Sequence, residues 1–227
     1  MKPQIRLIMP ENIRNDVKDA KFHVQLTNVS DNSVEIFLTG EIGDEYTQSD
    51  SASIAKLLSS HRGKSVTMRV NSGGGLAFDG LAIYNALAQH DGPTTGIIEG
   101  LAASAASLAV LGADTVKMHA NAVFHIHEAL GIAIGHKQEM LDMVTWLEAF
   151  NVAAIDTYAA KTGKPAEYLA AAMLGEHGDG TKYSAAEAYD VGFVDDVIPF
   201  KGKKTAKNSS SEKKNYVSAR YRITKMR

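Results

Sequence analysis

Apolar and polar residues alternate with a period of two in several short stretches of this chain, and the segments between them carry a helical period. Phe22–Val29 and Val34–Gly40 alternate on either side of the turn signal Ser30-Asp-Asn-Ser33, which predicts two strands, the second leading into the core sheet. Ser49–Ser60 follows with Ile54, Leu57 and Leu58 at helical spacing. From there strand and helix patterns take turns. Val66–Val70 precedes a helix over Ala77–Gln89, and Thr94–Glu99 precedes an alanine- and leucine-rich buried helix. Thr115–Met118 and Ala122–His127 then read as strands. Repeated strand–helix units predict an α/β fold whose sheet is mostly parallel and covered by helices.

Gly135–Lys161 breaks this rhythm. Met140, Met143, Val144, Leu147, Phe150, Ala154 and Tyr158 recur at three-and-four spacing, which predicts one long helix ended at Gly163. Such a stripe either packs inside the monomer or projects against a second copy. Pro165 is suited to the first position of the next helix. Ser184-Ala-Ala-Glu187 has the form of a capping box, with Gly192 as the stop before a last strand over Phe193–Ile198. No internal repeat is present.

Three of the junctions carry possible chemistry. Ser104, in Gly100-Leu-Ala-Ala-Ser104, lies between a strand and a helix, where free backbone N–H groups and the helix dipole favour a developing negative charge. That place suits a nucleophile, and equally a serine that merely caps an alanine-rich helix. Upstream, Asn71-Ser-Gly73-Gly74-Gly75-Leu joins another strand to another helix. It lacks the Gly-Lys-Ser/Thr ending of a phosphate-binding loop and the GxGxxG spacing, and fits an oxyanion or peptide-backbone site better. Downstream, the alternation of Ala122–His127 puts His125 and His127 on one face of a strand, opposite Phe124 and Ile126.

Taken together, these segments resemble the Clp-type serine peptidases of the ClpP/crotonase superfamily, over about Glu35 to Pro199. The family's Asn-Ser-Pro-Gly-Gly turn corresponds to Asn71–Gly75, and its Gly-Met-Ala-Ala-Ser turn to Gly100–Ser104. Its Ile-His-Gln-Pro-Leu-Gly segment corresponds to Ile126–Gly131. Its closing Ser-Ala-x-Glu-Ala-x-x-x-Gly-x-x-Asp element corresponds to Ser184–Asp195. The resemblance implies a spiral of βα units with a projecting long helix. It also implies a serine endopeptidase that uses no cofactor and assembles as a ring-like homo-oligomer. Ser104 would be the nucleophile, with Ser107 one turn on as its rival, and His127 the base. The backbone N–H groups of Gly75 and Ala105 would hold the oxyanion. The family's acid stands four residues before Ser184, where this chain has Gly180. Asp179, in a glycine-flanked loop, takes its place as the expected third member, ahead of Glu176.

The family's two prolines are replaced by Gly73 and Ala129, which marks a distant member, and divergent Clp-like sequences occur in phage head-maturation proteases. That suggests capsid or scaffold proteins as substrates and host cytoplasm as the setting, and it leaves an ATP-driven unfoldase partner open. A crotonase-like acyl-CoA enzyme and a catalytically silent shell protein are the competing readings.

Composition narrows the picture further. A chain of 227 residues supports one core with appendages: an arm over 1–21, a peptidase domain over 22–200 and a tail over 201–227. Absence of cysteine excludes disulfides, thiolate metal sites and a cysteine nucleophile. No apolar run is long enough for a membrane helix, and the first residues do not resemble a signal peptide. The formal net charge of −2 hides an asymmetry: the tail holds ten Lys/Arg and one acid, Glu212, so it carries +9 and the rest −11. Such a basic, weakly apolar tail is expected to be mobile and suited to acidic surfaces or nucleic acid.

Overall fold

A computed structural model describes residues 25–27, 30–44 and 48–201. The expected arm, most of the basic tail and parts of the first predicted strand lie outside the described residues. Within them an eight-stranded sheet runs in the order β1 (Gln25–Thr27), β2 (Ser33–Ile42), β3 (Ser65–Gly75), β4 (Thr94–Ala103), β5 (Thr115–His119), β8 (Asp196–Ile198). β6 (Val123–Ile126) pairs with β4 and with β7 (Thr181–Ser184). The pairs from β2 to β8 are parallel, as is β4 with β6. Only β1–β2 and β6–β7 are antiparallel.

Alternation decides which face of the sheet is covered. Val34, Ile36, Leu38, Val66, Met68, Val70, Ile98, Val116 and Met118 are buried, while their chain neighbours Glu35, Arg69, Glu99 and His119 are half-buried on the other face. Each large aliphatic side chain withdrawn from water in this way is worth about 1.5–3 kcal/mol. On the opposite face the Arg69 guanidinium bonds both Glu35 and Glu99, and His119 Nε2 lies 3.4 Å from Glu99, so one polar row crosses four strands.

Helices α1 (Ser51–Ser60), α2 (Ala77–Ala88) and α3 (Ala105–Val110) follow the strands as expected. Asp50 caps α1 by accepting the Ser53 N–H. α4 spans Lys137–Thr162, 26 residues without glycine or proline, and stops at Gly163. Its length is about 39 Å, and only its C-terminal half is continuously seated, through Phe150, Ala154 and Tyr158. Tyr158, Phe124 and Tyr183 surround Phe193 at ring-centroid distances of 5.6, 4.8 and 5.3 Å, which clamps this half onto the sheet. Pro165 stands just outside α5 (Ala166–Leu174), at its N-cap rather than its first helical position. The capping box of α6 (Ala185–Val191) forms in full, and Gly192 ends it. Asp195, the last residue of the closing element, accepts the Val116 N–H and pairs with Lys161 at 2.7 Å. Its work is to tie the end of α4 to β5.

The sequence pattern did not reveal β7. Its four residues bury only Tyr183, too little for an alternation to register.

Candidate active site

β3 and β4 both run further than their apolar patterns, and both become irregular where they do. The β2–β3 register gains a residue of β3 between Thr39 and Glu41, and the β3–β4 register shifts between Val70 and Ser72. Irregularities of this kind bend a strand and re-aim its end. β4 also changes partner, pairing with β5 over Thr95–Ile98 and with β6 over Leu101–Ala103. The carboxyl ends of these parallel strands converge at the fork.

Ser104 is the residue that leaves it. Its backbone sits at φ 54°, ψ −128°, a region that costs a non-glycine residue about 1–3 kcal/mol and tends to persist where function holds it. The Ser104 N–H donates to the carbonyl of His125 at 3.0 Å. Its side chain makes no capping bond to α3, so the reading as an ordinary cap is not met. Ser107 is fully buried. Its hydroxyl donates to the Ser104 carbonyl at 2.6 Å and meets the Tyr158 hydroxyl at 2.7 Å, which removes it as a rival nucleophile.

The glycine turn lies against this serine. Ser72 Oγ donates to the Gly40 carbonyl at 2.5 Å and accepts the Gly74 N–H at 3.1 Å, pinning the turn from within. At Gly74 (φ 101°) a β-carbon would stand 2.6 Å from Ser104 Cβ and 3.1 Å from the Ala105 nitrogen. Only glycine allows the backbone so close to Ser104. The turn thereby lies beside the first N–H of α3, which has no partner within its helix.

His125 and His127 share a face of β6 and its extension, with ring centroids 5.2 Å apart, but their surroundings differ. The His125 Nε2 meets the Asp179 carbonyl at 2.8 Å, and burial holds this imidazole below its ordinary pKa. The His127 Nδ1 meets the Glu128 carbonyl at 2.6 Å. A carbonyl can only accept, so Nδ1 carries the proton and Nε2 presents its lone pair. His127 and Ser104 both line a cavity of about 240 Å³, together with Gly73, Gly75, Ala77, Leu108, Phe150 and Tyr158. His125 does not line it.

The expected third member departs from its assigned place. The Asp179 carboxylate pairs with Lys182 at 2.6 Å, and that hydrogen bond holds it below the usual carboxylate range. It does not reach His127. The reason lies one residue on, where Gly180 packs directly on His127: a β-carbon there would stand 2.5 Å from His127 Cβ and 2.0 Å from the Ile126 carbonyl. With φ at 76°, position 180 leads the chain past His127 by backbone alone, and the preceding carboxylate points to Lys182. Asp179→Asn is therefore expected to change kcat/KM by less than about threefold, since it removes only an exposed ion pair. A peptidase assay showing a hundredfold loss would restore Asp179 to the His127 partnership. Among the described residues no cluster of three His, Asp or Glu could hold a metal ion, and no helix is long and apolar enough to cross a membrane.

The family model for Clp protease matches residues 18–201. The chain belongs to the Clp protease family. The ATP-dependent Clp protease proteolytic subunit of Pleurastrum terricola is 28% identical over 163 residues, covering 70% of this chain and 81% of that one. A mutant ClpP1 from Listeria monocytogenes shares the fold, with a TM-score of 0.57 at 22% identity over 74% of this chain and 92% of that chain. This Clp protease family member is thus a serine-type peptidase, a hydrolase with a mixed α/β fold, and neither the acyl-CoA enzyme nor the silent shell is favoured.

Proposed function

We propose that this Clp-type peptidase cleaves polypeptides through an acyl-enzyme formed on Ser104, with His127 as the general base. One observation carries the reading: a serine held at a strained strand-to-helix turn shares its cavity with a histidine whose Nδ1 is already occupied. Ser104 Oγ attacks the peptide carbonyl carbon and its proton passes to His127 Nε2. That proton then goes to the leaving amine as the C–N bond breaks. Water repeats the sequence, giving a proton to His127 and its oxygen to the acyl carbon, and as the ester bond breaks that proton returns to Ser104 Oγ. The N–H groups of Gly75 and Ala105 are the proposed donors to the oxyanion. Because Leu108, Phe150, Ala154 and Tyr158 line the cavity, the residue preceding the cut is apolar.

A ring-like homo-oligomer is the proposed working form, and an unfolded polypeptide the proposed substrate class. Capsid or scaffold protein as that substrate rests only on the divergence of the turn motifs at Gly73 and Ala129. A fluorophosphonate probe, followed by peptide mass mapping, tests the nucleophile. The adduct is expected on Ser104, and a protein that cleaves peptides while carrying the adduct elsewhere would overturn the reading.

A further inference from the structure

Tyr158 and Ser107 are two buried hydroxyls that the acyl-enzyme chemistry leaves unused. They come from different elements, α4 and α3, and meet at 2.7 Å in an otherwise apolar region. Burial pushes the Tyr158 hydroxyl well above its ordinary pKa, so it keeps its proton. Donor and acceptor roles then follow from counting. The Ser104 carbonyl can only accept, so Ser107 gives its single hydroxyl hydrogen to that carbonyl. Tyr158 must therefore donate to Ser107. The result is a one-way relay, from Tyr158 O–H to Ser107 Oγ, and from Ser107 O–H to the carbonyl of the proposed nucleophile.

We infer that this relay orients the oxyanion donor. The Ser104 carbonyl and the Ala105 N–H belong to one planar trans peptide and point in opposite directions. Holding the carbonyl toward Ser107 thus fixes the N–H on the other side of that plane, where the Gly74 backbone passes. The Ser107 N–H already bonds the same carbonyl at 2.9 Å. The hydroxyl adds a second bond from another direction, so the plane can neither tilt nor rotate freely. A turn at φ 54° needs such restraint, because the backbone on its own would relax toward commoner angles. Tyr158 and Ser107 are accordingly positioning residues. They act through the Ala105 amide and have their effect where charge develops on the substrate oxygen.

The inference rests on Ser104 being the nucleophile, and the test keeps the two apart. Tyr158→Phe preserves the ring that lines the cavity and Ser107→Ala suits an alanine-rich helix, so substrate binding is left as it was. For a peptide ester with an apolar residue at the cut, kcat is expected to fall about tenfold in Ser107→Ala and about threefold in Tyr158→Phe, at unchanged KM. The double variant should match Ser107→Ala, because the two hydroxyls act in series. Inhibition by a peptide boronate ending in leucine, whose tetrahedral adduct presents an oxyanion, should weaken by the same factors. Variants within twofold of wild type in both kcat and boronate inhibition would overturn the inference, as would losses confined to KM or to thermal stability. A wild-type protein that the boronate neither inhibits nor modifies at Ser104 would overturn the nucleophile assignment, and the inference with it.

Discussion

Replacing Ser104 with alanine is expected to lower peptide turnover by at least about a thousandfold, because no other hydroxyl in the cavity can form the acyl-enzyme. Ser107, one helical turn on, is fully buried and committed to its relay. The fold should be indifferent to the change. Alanine keeps the β-carbon that serine places at φ 54°, so the backbone cost at this turn is the same in both proteins. The Ser104 side chain caps nothing, so no hydrogen bond to α3 is lost. Circular dichroism and thermal melting should therefore superimpose while activity disappears. A purified variant that still cuts peptides at the wild-type rate would falsify the assignment.

The second large effect concerns assembly. Leu130, Ile132 and Ile134 lie on a segment that joins no strand of the described sheet, and Ile134 is 87% exposed. The first turns of α4 beside it expose Leu141, Val144 and Trp146 as well, and there only Met143 is fully inserted, against the segment near Gly131. An exposed apolar surface of this kind marks an interface, and a second copy supplies the matching surface when the contact is self-complementary. The helical stripe alone would have nominated Leu147 and Phe150 for a test. Phe150, however, is core and lines the cavity, so a charge there would confuse folding with assembly. Leu141→Glu combined with Val144→Glu avoids that. Light scattering should show the wild type as an oligomer and the double variant as smaller species with the same circular dichroism. A wild type that scatters as a monomer at micromolar concentration would sink the proposal.

How much of this was readable from the residues depends on the kind of signal each element emits. β2 to β5 alternate over long runs, and their buried face is the one the alternation chose. α4 was legible because 26 residues pass without a breaker, though its stripe could not say which half is covered. His125 and His127 share a face as their spacing requires, and the motif match separates them in sequence, but their different partners, the carbonyls of Asp179 and Glu128, do not show there. Those acceptors are backbone atoms and leave no trace in residue identity. The same limit hid the fate of Asp179. A glycine-rich loop has too many conformations for spacing to say where a neighbouring carboxylate points. The link between Ser107 and Tyr158 joins positions 51 apart, and neither side chain signals the other in a single sequence. In sequence each reads through its own helix alone, one as a possible nucleophile and one as part of an apolar stripe.

The cavity beside Ser104 has a consequence for what this peptidase can know about its substrate. At about 240 Å³, with apolar walls, it has room for one large side chain and few polar groups with which to question it. A site that reads a single apolar residue carries little information, since such residues recur throughout every globular protein. Cleavage chemistry of this kind is almost indiscriminate once an extended chain lies in the cleft. Discrimination has to be made earlier, by whatever determines which chains are unfolded and which of them arrive.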